Sequence, residues 1–172
     1  MSAGSAAAVL TADPLPTWTE PRRTCLAYSP GGHLSELLRA TAGIAFPDCF
    51  HVTFASGRAV PATPGGPAPR VYHLCHPRRS AWRTLANAAQ ALAVLLRERP
   101  RLIVSTGADV AVPVVVLGKL LGATTVFVET GGTVEPSLAG RLCYPFSDLF
   151  LVQWPEKLAA FPKAVLADGL LL

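Results

Sequence analysis

The feature that most constrains the fold is an alternation repeated along the chain: a short apolar run of strand length, a glycine-bearing loop, then a longer segment of helical character. Thr24–Ser29 reads as a strand, followed by Pro30-Gly31-Gly32 and a helix from about His33 to Ala42. Phe50–Ala55 is a second strand ending at Ser56-Gly57, and a Pro- and Gly-rich loop, Pro61–Pro69, leads to a third at Val71–Cys75. Ala81–Arg99 reads as a long helix, with Leu85, Ala88, Ala89, Leu92, Leu95 and Leu96 at helical spacing and Pro100 as its stop. Leu102–Ser105 is a strand opening into Thr106-Gly107-Ala108-Asp109. A helix over about Val110–Leu121 meets Gly122, and a strand over Thr124–Glu129 runs into Thr130-Gly131-Gly132-Thr133. A helix at Leu138–Cys143, a strand at Leu149–Val152 and a short segment at Ala164–Ala167 follow. Strands alternating with helices predict a Rossmann-like α/β fold, a parallel sheet with helices on both faces. Runs such as Val126-Phe127-Val128 and Leu149-Phe150-Leu151-Val152 suit strands buried on both sides.

Composition excludes several classes. Charged residues make up 15% of the 172 and hydrophobic residues 51%, with a formal net charge of +4. That is too apolar for intrinsic disorder, and no run of five or six like charges marks a nucleic-acid tail. No nucleic-acid partner is expected. Residues 1–22 read as a flexible tail: Ala6-Ala7-Ala8-Val9-Leu10 is short for a signal peptide and no basic residue precedes it. The nearly charge-free stretch Val110–Val128 approaches a membrane span in length, but Pro113, Gly118, Gly122 and Thr124-Thr125 divide it into a buried helix and a buried strand. The four cysteines form no C-x-x-C pair and read as reduced, mostly core thiols. His73-Leu74-Cys75-His76 lacks usual metal-ligand spacing, and neither a metal nor another cofactor is expected.

In parallel sheets of this kind, ligands bind beyond the carboxyl ends of the strands. Three glycine loops fall there: Pro30-Gly31-Gly32-His33, Thr106-Gly107-Ala108-Asp109 and Glu129-Thr130-Gly131-Gly132. Glycines let backbone approach a ligand closely, which makes Gly31, Gly32, Thr106, Gly107, Asp109 and Gly131 candidate substrate-binding residues. The dinucleotide fingerprint is absent, since Gly31-Gly32 lacks a third glycine and the second strand closes on Ala55-Ser56-Gly57 without an acid; a Walker Lys-Ser or Lys-Thr pair is absent too. His33 is either a helix-start residue bonding nearby backbone or a base for a hydroxyl substrate. Glu129 closes a very apolar strand, so its carboxylate needs partners, which the following Thr-Gly-Gly amides can supply; a structural role and a catalytic one both fit. Asp109 reads either as a helix N-cap or as a binding residue. Arg78, Arg79, Trp82 and Arg83 lie in an acid-free basic stretch. It is either a solvated face or a contact for diphosphate or anionic lipid headgroups, with Trp82 at the interface.

Three blocks carry a resemblance: Ser29 through Leu37, with its Gly-Gly-His; Ser105-Thr106-Gly107-Ala108-Asp109 through Leu121; and Val128-Glu129-Thr130 with Ser137 through Pro145 and Asp148-Leu149-Phe150-Leu151-Val152-Gln153-Trp154-Pro155. Together they resemble bacterial PssD-type polysaccharide biosynthesis proteins and the Alg-fourteen subunit of the eukaryotic N-acetylglucosaminyltransferase. The resemblance implies the amino-terminal, acceptor-binding half of a GT-B glycosyltransferase, spanning 23–172. Its donor-binding half would be a partner chain of the PssE or Alg-thirteen kind. It implies transfer of a sugar from a UDP-sugar to a lipid-diphosphate-linked saccharide at the cytoplasmic membrane face. Gly31, Gly32 and His33 would then line the acceptor side of the cleft, with Glu129 a further cleft residue. Attachment to an anionic membrane surface is expected to be peripheral, and the apolar end Gly169–Leu172 is expected to dock. A scaffold that only recruits the catalytic partner is the alternative.

Overall fold

The computed structural model describes residues 22–57, 60, 68–78 and 80–167. The tail over 1–21, most of the Pro/Gly-rich loop and the apolar end 168–172 lie outside the described residues. Seven strands form one parallel sheet: β1 (Thr24–Ala27), β2 (Cys49–Thr53), β3 (Arg70–His73), β4 (Leu102–Ser105), β5 (Thr124–Val128), β6 (Leu149–Val152) and β7 (Val165–Leu166). Their order is β3-β2-β1-β4-β5-β6-β7. The chain therefore steps one way from β1 to β3, crosses back to β4 and steps the other way to β7. Because parallel crossovers are right-handed, that reversal puts the helices of the two halves on opposite faces. Helix α1 (Gly32–Ala40) covers one face; α2 (Ala81–Glu98), α3 (Val112–Leu120) and α4 (Leu138–Cys143) cover the other.

Strand period two sorts the core accordingly. Cys25, Ala27, Phe50, Val52, Ile103, Phe127, Phe150 and Val152 pack with Ala91 and Leu95 of α2, Val114 and Val115 of α3 and Cys143 of α4. Leu26, Tyr28 and Val104 face the other way, onto Leu34 and Leu37 of α1. The α1 side is thinly covered over β5–β7. Register places Val126, Leu149, Leu151 and Val165 on that side, where the first three are half-buried and Val165 is 51% exposed. Two-sided burial thus accounts for only part of the low charge content.

The nearly charge-free stretch Val110–Val128 divides as its breakers predict, into the nine-residue α3 and β5. No helix among the described residues is long and apolar enough to cross a membrane. Helix α3 packs so closely on β4 that a Cβ at Gly118 would lie 2.0 Å from Ile103 Cδ1. Helix α2 ends at Arg99, which takes a left-handed conformation (φ 48°) ahead of Pro100.

Candidate functional site

The strand order reverses between β1 and β4, which are registered neighbours with Ala27 beside Ser105. Their loops leave toward opposite faces, which opens a crevice at their carboxyl ends. Gly31 (φ 104°) turns the chain out of β1 and Gly107 (φ 96°) turns it out of β4, both in the left-handed half of backbone space that favours glycine. A Cβ on Gly107 would lie 3.2 Å from Phe127 Cζ and 3.8 Å from His33 Cε1. The two loops therefore meet at His33. Thr106 Oγ1 ties them by donating to the His33 carbonyl at 2.7 Å. Ala108, a non-glycine residue at φ 75°, stores backbone strain beside this junction.

His33 occupies the first turn of α1 with its side chain 28% exposed. Its Nδ1 lies 3.3 Å from Oε2 of Glu36, three residues on and hence on the same helix face. Both atoms are sealed from solvent, and neither makes a hydrogen bond with any described residue. The other oxygen of Glu36 is fixed from across the crevice: Oε1 accepts from Thr130 Oγ1 at 2.8 Å and from the Gly131 amide at 2.9 Å. Burial works against the Glu36 charge, but the adjacent His33 imidazole and the hydrogen bonds from Thr130 and Gly131 outweigh it and hold the carboxyl below its ordinary value. Glu36 therefore joins the β1 and β5 loops through one carboxylate. Sequence reasoning passed over it, although its i, i+3 spacing from His33 was the available signal.

The third loop corrects three expectations. Glu129 has no exposed surface, and its partners are not the Thr-Gly-Gly amides. Oε1 accepts from the Ser137 amide at 2.7 Å and from Lys157 Nζ at 3.0 Å, and Oε2 accepts from Ser137 Oγ at 2.9 Å. Lys157 is equally buried and also donates to the Thr130 carbonyl at 2.6 Å. Glu129 thus anchors the start of α4, where Ser137 caps the helix by accepting from the Gly140 amide, and it offers a substrate no open face. Gly131 is likewise committed. Its amide goes to Glu36, its carbonyl accepts from Trp154 Nε1 at 2.8 Å, and a Cβ there would lie 2.4 Å from Gln153 Oε1. Gln153 also donates to the Glu129 carbonyl at 3.0 Å. The Val-Gln-Trp-Pro motif therefore buttresses this loop, a role that the sequence alone did not reveal. Thr106 is buried as well, and positions His33 rather than facing outward.

Residues of the three loops that keep open surface include Gly31, Gly32, His33 and Asp109, and Gly132 and Thr133 in the third. A Cβ on Gly32, the first residue of α1, would meet only open space. Asp109 does not cap α3, whose N-cap is Ala111; its carboxylate lies 3.3 Å from Nδ1 of His76, which follows β3 and packs on Phe54.

Helix α2 presents an unexpected outer face. Of the residues that gave its periodicity, Leu95 is buried, while Leu85, Leu92 and Leu96 are 59%, 38% and 54% exposed. The buried side consists of Asn87, Ala91, Leu95 and Glu98. Trp82, Leu85, Ala89, Leu92 and Leu96 recur every three or four residues and form one exposed apolar stripe, with Trp82 77% exposed. Arg83 lies on the same helix and Arg78 just before it, both exposed; Arg79 lies outside the described residues.

Residues 76–170, more than half of the chain, match the family described as oligosaccharide biosynthesis protein Alg14 like. The chain is 37% identical over 79 residues to the mouse UDP-N-acetylglucosamine transferase subunit ALG14, covering 42% of this chain and 36% of that one. It is 31% identical over 85 residues to the UDP-N-acetylglucosamine–N-acetylmuramyl-(pentapeptide) pyrophosphoryl-undecaprenol N-acetylglucosamine transferase of Oceanobacillus iheyensis, covering 49% and 23%. Among solved structures, Acinetobacter baumannii MurG superposes with a TM-score of 0.63 at 15% identity, over 87% of this chain and 45% of MurG. A Rickettsia bellii UDP-N-acetylglucosamine 2-epimerase superposes with a TM-score of 0.67 at 10% identity, over 88% and 46%. The matched segments thus span less than half of each of these relatives. The fold is that of one Rossmann-like half of a GT-B glycosyltransferase.

Proposed function

The chain belongs to the Alg14-like family of oligosaccharide biosynthesis proteins, and from that premise we propose that it is the acceptor-binding subunit of a two-chain glycosyltransferase. A partner chain would bind the donor, UDP-N-acetylglucosamine or a related UDP-sugar, and the acceptor would be a lipid-diphosphate-linked saccharide. The observation that carries this reading is the crevice between β1 and β4, with a partly exposed imidazole at its mouth and a carboxylate behind it.

Chemically, the acceptor hydroxyl gives its proton to His33 as its oxygen attacks the anomeric carbon of the donor. The bond from that carbon to the diphosphate breaks, and its electron pair leaves with the nucleoside diphosphate. His33 then returns its proton to water. The lipid-linked acceptor has to be reached at a membrane surface. The apolar stripe of α2, with Arg78 and Arg83 at its start, suits peripheral contact with anionic headgroups.

The test is reconstitution. Transfer from UDP-N-acetylglucosamine to a lipid-diphosphate acceptor is expected only when this chain and its donor-binding partner are combined; full transfer by either chain alone overturns the reading. His33→Ala should lower kcat of the pair by about 10²- to 10⁴-fold, the usual contribution of a general base. Unchanged kcat with the partner still recruited to vesicles would make this chain a recruiting scaffold.

A further inference from the structure

Glu36 sits where it can decide which nitrogen of His33 carries the proton. One carboxylate oxygen is held by two donors, Thr130 Oγ1 and the Gly131 amide, so the carboxylate cannot turn freely. The other oxygen faces His33 Nδ1 at 3.3 Å. Both atoms are shielded from solvent and neither makes a hydrogen bond with any other described residue, so with only each other in reach, leaving them unmatched would be costly. A carboxylate only accepts, and the match therefore requires a proton on Nδ1. Since Nδ1 is sealed, the exposed surface of His33 belongs to the rest of its ring, which reaches toward Gly107 and the mouth of the crevice.

We propose that Glu36 is a positioning residue that holds neutral His33 as the Nδ1–H tautomer, leaving Nε2 unprotonated as the proton acceptor for a substrate hydroxyl. The inference rests on the acceptor-subunit reading for the identity of the hydroxyl, but the tautomer itself does not depend on it. Three loops converge on this arrangement. Thr106 fixes the His33 backbone, and Thr130 and Gly131 fix the Glu36 oxygen. Gln153, Trp154 and Lys157 in turn brace the 129–132 loop. Once His33 takes a proton, the same carboxylate faces an imidazolium and stabilises it, the role that an orienting acid plays behind a histidine base.

Glu36→Gln gives a sharp test. With the Gln carbonyl held by Thr130 and Gly131, its amide nitrogen faces Nδ1 and donates to it, so the ring proton moves to Nε2. Nitrogen-15 NMR of the full chain, at a pH of about 8 where imidazole is neutral, should show Nδ1–H for His33 in the wild type and Nε2–H in Glu36→Gln. Glu36→Asp keeps the charge and should retain Nδ1–H. In the reconstituted pair, Glu36→Gln should lower kcat by about 10²-fold or more with little change in KM, and Glu36→Asp should restore part of the loss. A wild-type Nε2–H tautomer overturns the proposal even if no variant folds, and so does a kcat loss in Glu36→Gln with the tautomer unmoved. A tautomer that moves while kcat stays constant upholds the positioning by Glu36 and instead removes His33 as the base.

Discussion

At the residue scale, the most consequential pair is Glu129 and Lys157, both without exposed surface and 3.0 Å apart. A buried pair adds little net stability over well-packed apolar residues, but losing one member leaves an uncompensated charge. Lys157→Met is therefore expected to cost about 3–5 kcal/mol, and Lys157→Met combined with Glu129→Gln should recover most of that. Urea unfolding of wild type and both variants is the measurement, and Lys157→Met matching wild type would remove the pair as the anchor of the 129–132 loop. His51 supplies a pH prediction. Burial lowers its pKa, and Nδ1 is engaged with the Tyr28 hydroxyl at 3.0 Å. The unfolded chain then binds a proton that the folded one refuses. Stability should be full above the unfolded value of about 6.5 and should fall as pH drops below it, levelling off beneath the folded value. Glu36, Asp48 and Asp148, whose values are also lowered, act at more acid pH. Thermal midpoints recorded between about pH 7.5 and 5.5 should decline in wild type and decline less in His51→Gln; parallel curves would refute the assignment.

At the scale of elements, α2 is the helix that its own sequence leaves ambiguous. It carries apolar residues on two sides, and only the sheet decides which is inward: Ala91 and Leu95 are buried, leaving the Trp82–Leu96 stripe outside. The proposed membrane contact makes a specific demand on this element. Reversing Arg78 and Arg83 to Glu should weaken binding to phosphatidylserine vesicles by at least roughly 1 kcal/mol per arginine removed and flatten its salt dependence. Trp82 emission should shift to the blue when wild type binds. Vesicle binding that survives both the charge reversals and Trp82→Ala would assign the membrane contact to another surface.

For the whole molecule, the cysteines report on global opening. Cys25 and Cys143 are fully buried, and burial pushes the Cys143 thiol up to about 12; Cys49 and Cys75 are half-buried. A thiol-alkylating reagent should therefore modify Cys49 and Cys75 under native conditions and reach Cys25 and Cys143 only at the rate of unfolding. Rapid native modification of Cys25, which lies on β1 between β2 and β4, would contradict the sheet order. The same order governs the site. Because β1 and β4 are neighbours although 74 residues and two strands intervene, the Gly-Gly-His loop and the Thr-Gly-Ala-Asp loop share one crevice.

By itself, the sequence determined the elements and their class. β4, α4 and β6 stand where their apolar runs place them, because strand and helix periods, glycine turns and proline stops act over a few residues. It also singled out His33 and the glycine turns around it, since a residue's chemistry and its place at a strand's carboxyl end are local facts. What only the tertiary structure decided are the relations between distant segments. Glu129 became a buried anchor because Lys157 and Ser137 close on it, Glu36 found His33 with one oxygen and Thr130 and Gly131 with the other, and α2 turned its Trp82 stripe outward. Each of these depends on which strands become neighbours. That choice is made by right-handed crossovers and packing across the whole sheet, and is written in no single stretch of chain.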